Sequence, residues 1–556
     1  MSWGIKNARH SYSHNMMVFR AFIGLLFFLS LTQSQWLLGD AKRVVILANA
    51  NSPQSVEVAR YYAQKRQIPE TNIIALKMPR KATISWDEYT RTIHNPLMAK
   101  LVERGWIEAD PLHTKDLYGR ERYQSKANKI SYLVPVFGVP LKISKSPHSQ
   151  QAPDNIPHLM KTDAAAVDSE LSVLLIDTPH AIGPLKNPLF QNPTPLPALE
   201  RSVIKVGRLD GRSAEDAKAL VDRALEGEAS PVWGRAYVDI QGKHAAGDQW
   251  MRDTAKLLQD ARWDVVPRNE KGTFRGIDRF DAPFFYFGWY TENINGPFRE
   301  PHLKFPPGAF AFHLHSFSAS QLTKPTANWC AGLIQRGAAV TLGNVFEPTL
   351  TFSLYPHLFV EAILAGRSTG EAAFYAQPAL SWQGILLGDP LYQPNLGDAV
   401  DNPSSPKAKG YALIRRLQGL QREGRTKQAK EIGLRFLKET PHLPLAWYMV
   451  HLSRQPDPTE ALAILQGSIA NNHLIPEQAG LIREVARYLN KHGSHAESLR
   501  LYRWLVDKAL WSQSSYKQVL SEALEIATAA NYTNDIEYFT NLQIAETPKE
   551  PQAPQQ

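Results

Sequence analysis

Two histidines separated by one residue, His313-Leu314-His315, run directly into Ser316. Alternate residues of a strand share a face, so both imidazoles would point the same way. That spacing suits a metal held by His313 and His315, with Glu347 or Asp389 as a carboxylate ligand. It also suits a hydrolytic group in which His315 or His313 activates Ser316, with Glu347 behind it. Neighbours on a straight strand face opposite ways, so this second arrangement needs a turn within Ser316-Phe-Ser-Ala319. The plainer reading is a pair of structural histidines at a buried strand end; no cofactor is assigned. The single cysteine, Cys330, lies early in a predicted helix on an apolar background, where a thiol is usually a small buried hydrophobe. Asp163, Asp168 and Glu170 stand at the start of another predicted helix. There they favour its dipole, or else they form the acidic rim of a cleft.

These groups need strands and helices to aim them. Continuous apolar runs such as Val44-Val-Ile-Leu-Ala48, alternating with helical patterns, predict parallel strands covered on both faces. Strands are expected near 73–76, 130–139, 203–209, 235–240, 263–266, 283–288, 309–316, 338–344 and 385–387. Helices are expected near 53–67, 86–104, 164–175, 213–228, 249–261, 326–336, 355–365 and 368–377. The six prolines between 178 and 198 require an irregular loop. Ligands of such sheets bind beyond the carboxyl ends of strands, so Trp289, Asn344 and Asp389 join the candidate binding residues. The fold class read here is α/β: two doubly wound parallel-sheet layers, over 42–228 and 231–398, followed by an all-α helical-repeat domain.

The helical part follows a linker, 399–410, and extends over 411–545, with a disordered tail at 546–556. Its alanines 429, 461 and 496 are 32 and 35 residues apart, near the period of tetratricopeptide repeats. An unrelated helical bundle is the alternative. Residues 1–41 read as a secretory signal peptide: a basic stretch closed by Arg20, an apolar core over 21–31, and small residues at Gly39 and Ala41. An uncleaved anchor is the competing reading, although eleven apolar residues fall short of the ~20 that span a bilayer. A periplasmic or secreted location follows, with no stable membrane span after cleavage. One cysteine excludes an intrachain disulfide and a thiolate zinc site. The net charge of +9 is spread without a basic block, which gives no nucleic-acid footprint.

Several stretches resemble an uncharacterised bacterial family that accompanies the exosortase protein-sorting system. They are Asn49–Tyr62, Phe137–Ile143, Val167–Leu171, Gly343–Pro348 and Leu380–Pro394. Val206-Gly-Arg-Leu209, the following Ser213-Ala-Glu-Asp-Ala217 and Val221-Asp-Arg223, and Gly388-Asp-Pro390 more remotely resemble gingipain-like cysteine peptidases of the caspase-type fold. That resemblance implies a catalytic His in a Gly-His-Gly strand end and a Cys after the next strand. Here the first position reads Gly288-Trp289-Tyr290 and the second falls close to Ser316. Both catalytic residues are replaced. The expectation is therefore an exported caspase-like protein without peptidase activity, binding a protein or peptide partner through its helical repeat. A rearranged Ser/His or metal-assisted hydrolase is the alternative.

Overall fold

The computed structural model describes residues 41–545, except 152–155, 178–181, 241–243 and 453–456. The signal peptide expected at 1–41 and the tail at 546–556 therefore fall, but for Ala41, outside the described residues. Strands β1 (Val44–Asn49), β2 (Ile73–Leu76), β3 (Tyr132–Pro135) and β4 (Lys205–Val206) form a parallel sheet in the order β4-β3-β1-β2. All six residues of β1 are buried, and its side chains divide by the two-residue period. Val45 and Leu47 enter one core with Leu133 and Trp86, whereas Val44 and Ile46 enter another with Val134 and Tyr62. Both faces are covered, as the unbroken apolar run requires.

Helix α1 (Pro53–Arg66) leaves the end of β1 with proline in its first turn and stops at Gln67, whose φ of 55° is left-handed. A short helix α2 (Val167–Ser172) and the longer α3 (Ala214–Ala229) pack on the same sheet; the Ser213 hydroxyl caps α3 by accepting from the Asp216 amide. Strands β5 (Arg235–Asp239), β6 (Val265–Arg268), β7 (Pro283–Gly288) and β8 (Phe310–His313) make a second parallel sheet, ordered β6-β5-β7-β8. Helix α4 (Ala245–Asp260) covers it, and α5 (Cys330–Gln335) follows β8. Strands β9 (Thr341–Asn344) and β10 (Gly384–Leu387) pair antiparallel and link the two sheets. Single parallel bridges do this, Arg208 to Leu387 on one side and Phe310 to Val340 on the other.

The chain is thus mixed α/β, with parallel sheets and a helical C-terminal region, in agreement with the expected class. Several local expectations shift. The helix expected over 86–104 passes through a π-helical turn at Thr90–His94, and that expected over 164–175 contracts to six residues because Ala165–Ala166 pairs as a strand with Lys142–Ile143. The helix at 326–336 begins only at Cys330. A long antiparallel hairpin, Ile107–Lys115 with Glu121–Asn128, was not expected, since most of it is exposed and lacks an apolar face.

The helical region begins within the expected linker, at Pro406, where Ser405 caps the helix. It comprises α6 (Pro406–Arg422), α7 (Thr426–Glu439), α8 (Leu443–Leu452), α9 (Pro458–Gln466), α10 (Ala479–Lys491), α11 (His495–Lys508), α12 (Gln513–Ala529) and α13 (Thr533–Ala545). The repeating alanines fall on α7, α9 and α11. Ala429 and Ala461 are buried, but Ala496 is exposed, so the close approach expected of a small residue is not made there.

This region is docked on the second sheet. The buried Glu300 carboxylate accepts from the Ser512 amide at 2.7 Å, the Ser512 hydroxyl at 2.8 Å and the Ser515 hydroxyl at 2.7 Å. Tyr411 donates to Asp281 at 2.7 Å, and Arg483 reaches the carbonyl of Ile277. Gly480 allows close backbone contact: a Cβ there would lie 2.2 Å from the Asp278 carbonyl oxygen.

Candidate functional site

Strands β7 and β8 place Gly288 opposite His313, so these two strand ends lie side by side, whereas the antiparallel β9–β10 pair puts Asp389 at the opposite end from Asn344. What surrounds them is mostly closed. His313 is fully buried with its ring 3.5 Å above that of Trp329. The Thr291 amide donates to Nε2 at 3.1 Å, which leaves the proton on Nδ1, 2.8 Å from the Tyr286 hydroxyl. Burial, then the neighbouring His315, pushes its pKa well below the usual range. A neutral ring with both nitrogens engaged has no lone pair to give a metal. Among the described residues no group of three or more His, Cys, Asp or Glu is placed to hold a metal ion.

Gly288 has a local reason to be glycine, because a Cβ there would sit 2.4 Å from the Tyr286 hydroxyl. Trp289, a candidate binding residue, is fully buried instead of lining an opening. Its indole N–H donates to Asp248 at 2.9 Å, and the ring fills space that Gly247 leaves: a Cβ on Gly247 would approach it to 2.1 Å.

His315 is half-buried and faces outward with Tyr290, the ring centres 4.5 Å apart. Its Nδ1–H donates to the Ser316 carbonyl oxygen at 2.5 Å, placing the lone pair on Nε2. The tautomer is that of a general base, but it is set by the backbone of Ser316 and not by its hydroxyl. Glu347 turns to its own loop and accepts from the Thr349 amide at 2.8 Å. Asn344 is buried; its side-chain amide lies 3.4 Å from the His315 carbonyl, and its backbone N–H donates to the Ser318 hydroxyl at 3.1 Å. The structure therefore brings His315, Ser316 and Asn344 together, and leaves Glu347 engaged elsewhere.

Cys330 lies beneath β9. The thiol is fully buried and donates to the Leu342 carbonyl at 3.5 Å, while Gly343 makes room for it: a Cβ at 343 would be 2.5 Å from the sulfur. Burial pushes the thiol up to about 12. A thiol in that state is a core hydrophobe.

The acidic candidates form no rim. Asp168 takes the Arg208 guanidinium in a bidentate pair, with the shorter contact at 2.6 Å, and Arg208 continues to Asp210 at 2.9 Å and to the carbonyls of Val139 and Pro140. Glu170 is buried between Arg120, 3.1 Å away, and the Ser381 hydroxyl; burial raises its pKa despite that cation. Asp163 accepts from Tyr118 at 3.0 Å and from Ser146. Asp389 accepts from Tyr62 at 2.8 Å and from Arg66 at 2.5 Å, both on α1. All four are interior carboxylates with partners, which is the condition on which charge survives burial. Sequence reading missed the arginines that hold three of them, Asp168, Glu170 and Asp389. Arg208 stood inside the Val206–Leu209 stretch quoted above, but nothing in its spacing pointed to Asp168.

Comparison with protein families gives no match, and comparison with curated proteins gives none either. A solved structure described as that of a protease aligns over 64% of this chain and 78% of its own, at 10% identity and a TM-score of 0.34. A likeness of that size carries no argument about what this chain does.

Proposed function

We propose that the chain is an exported caspase/gingipain-like protein without cysteine peptidase activity. In this reading it acts in the periplasm or outside the cell, in an exosortase-linked envelope or exopolysaccharide system, and binds a protein or peptide through its helical region. The observation that carries the loss of thiol chemistry is the state of Cys330: buried, held to a backbone carbonyl and pushed up to about 12. The strand end at which the resemblance implies a histidine is filled by the buried Trp289.

The test is thiol reactivity in the native full chain beside a peptide-cleavage assay. At pH 8 a thiol of ordinary pKa is about one-quarter thiolate, whereas one near 12 is about one ten-thousandth ionised. Iodoacetamide should label native Cys330 at least a hundredfold more slowly than the unfolded chain. Rapid labelling that abolishes peptide cleavage would reverse the reading. The partner search should use the full chain as bait, because the docking contacts of Glu300 and Asp281 would be exposed on an isolated helical region.

A second reading is a hydrolase working through His315 and Ser316 with Glu347. It is favoured by one observation, the Nδ1–H tautomer of His315, which puts the acceptor of the ring on Nε2. It requires that His315→Ala or Ser316→Ala abolish whatever ester or peptide hydrolysis the purified protein shows.

A further inference from the structure

A cleft of about 340 Å³ lies where α6 crosses the end of α4, away from the strand ends described above. One face of α6 supplies Ala412, Arg415, Arg416 and Gly419, which recur at the three- and four-residue spacing of a helix face, and Glu423 at its C-cap follows on. Arg262, just beyond α4, closes the opposite side. Its charges are unevenly satisfied. Arg416 holds Asp398 at 2.5 Å and Asp401 at 2.9 Å, and Arg425 holds Glu423 at 3.0 Å. Among the described residues neither Arg262 nor Arg415 has a carboxylate within ion-pair distance.

Arg415 is the more telling. Its guanidinium stacks 4.0 Å over the ring of the buried Trp263, and its Nε donates to the Arg262 carbonyl at 3.4 Å. Stacking on the indole face fixes the plane of the fork while its terminal N–H groups keep their capacity to donate. Burial, opposed only by the more distant Asp398, pushes this arginine down to about 10. A guanidinium held flat, half-buried and without a carboxylate at ion-pair distance is the arrangement that a bidentate oxyanion completes. Gly419 contributes space: a Cβ there would meet only Arg262, at 3.6 Å. Leu396, Ala412 and Leu420 give the cleft apolar lining beside the cations.

We infer that this cleft binds a small organic anion, its carboxylate or phosphate gripped by Arg415 and Arg262 and its apolar remainder lying against Leu396, Ala412 and Leu420. Volume and mixed lining both fit a small-molecule site. Lying between the α/β part and the helical region, the ligand would touch both.

The experiment is calorimetric titration of the full chain with phenyl phosphate, phenylacetate and inorganic phosphate in separate runs. The first two distinguish phosphate from carboxylate as the recognised group. One site per chain is expected for at least one of them, with an affinity that falls as salt rises. Arg415→Gln should weaken that binding at least tenfold. Gly419→Leu, which fills the cleft without removing a charge, should do the same while the circular dichroism spectrum stays that of the parent. No heat from either organic anion at millimolar concentration overturns the inference, as does equal affinity in the parent and both variants. Inorganic phosphate binding as tightly as phenyl phosphate overturns the role given to the apolar lining.

Discussion

Replacing Glu300 by alanine should uncouple the helical region from the α/β part. The carboxylate is 2% exposed and accepts three hydrogen bonds from α12 and the residue that caps it, at 2.7, 2.8 and 2.7 Å. A hydrogen bond to a charged acceptor contributes about 1.5–3 kcal/mol, and donors stripped of it recover part of that from water. Since the three share one acceptor their contributions do not add, and the loss should be about 3–5 kcal/mol. A domain of this size loses roughly 2–4 °C per kcal/mol, so the helical region should melt about 10 °C lower and as a separate transition. Calorimetry would show the split, and hydrogen exchange would locate it by faster exchange in 510–529. Glu300→Gln keeps one acceptor oxygen and should cost about half as much. Gly276→Ala attacks the same junction from the other side, because its Cβ would lie 2.1 Å from a Glu300 oxygen. A loss below about 1 kcal/mol for Glu300→Ala, or one unchanged transition in both it and Gly276→Ala, would refute the claim that this carboxylate secures the docking.

Arg208→Met should be among the most damaging substitutions, costing about 3–5 kcal/mol by urea unfolding, since it strands Asp168 and Asp210 without their cation; Arg208→Lys should rescue little, lacking the fork that reaches two carbonyls as well. A pH effect is expected from His442, which burial pushes down to about 4 and whose Nδ1 accepts the Leu445 amide at 3.1 Å. Its folded pKa lies below the unfolded value, so the neutral ring's contribution is complete above about 6.5 and is lost as pH falls toward 4. His442→Asn, which keeps a capping acceptor, should flatten the urea stability profile between pH 6.5 and 4 by up to about 3 kcal/mol; an unchanged slope would count against it.

The sheets were legible because their strands are short apolar runs buried on both faces, a pattern that survives without knowledge of partners. Val44–Asn49 and Pro283–Gly288 are buried at every position and were placed correctly. The exposed hairpin over 107–128 was not, because its pairing is a backbone matter and its side chains carry no contrast. Helix lengths failed where a tertiary contact overrode local pattern, as at Ala165–Ala166, which pairs with β-structure just before α2. The two-sheet arrangement was legible; the antiparallel β9–β10 pair that links the sheets was not, since strand direction leaves no trace in composition.

The candidate site divides along a physical line. Parallel pairing sets the ends of β7 and β8 side by side at Gly288 and His313, whereas the antiparallel β9–β10 pair sends the end of β10, and Asp389 with it, away from Asn344. Type and spacing could not tell which side chains would face outward. His313 and His315 have the same spacing and the same chemistry, yet one is locked between Tyr286, Thr291 and Trp329, and the other stands half-exposed beside Tyr290. The difference arises where β8 ends: His313 is the last paired residue, whereas His315 lies beyond the ladder and has its ring fixed by the carbonyl of its neighbour. The same holds for the carboxylates. Asp168, Glu170 and Asp389 looked like a site because acidic residues at strand and helix ends often are one. Each instead found an arginine far away in sequence: Arg208, Arg120 and Arg66. A carboxylate buried with its cation has little field left to offer a substrate, whereas Arg415, held flat on Trp263 with no carboxylate at ion-pair distance among the described residues, keeps donors for an anion and so points to binding more directly than any of the acids do.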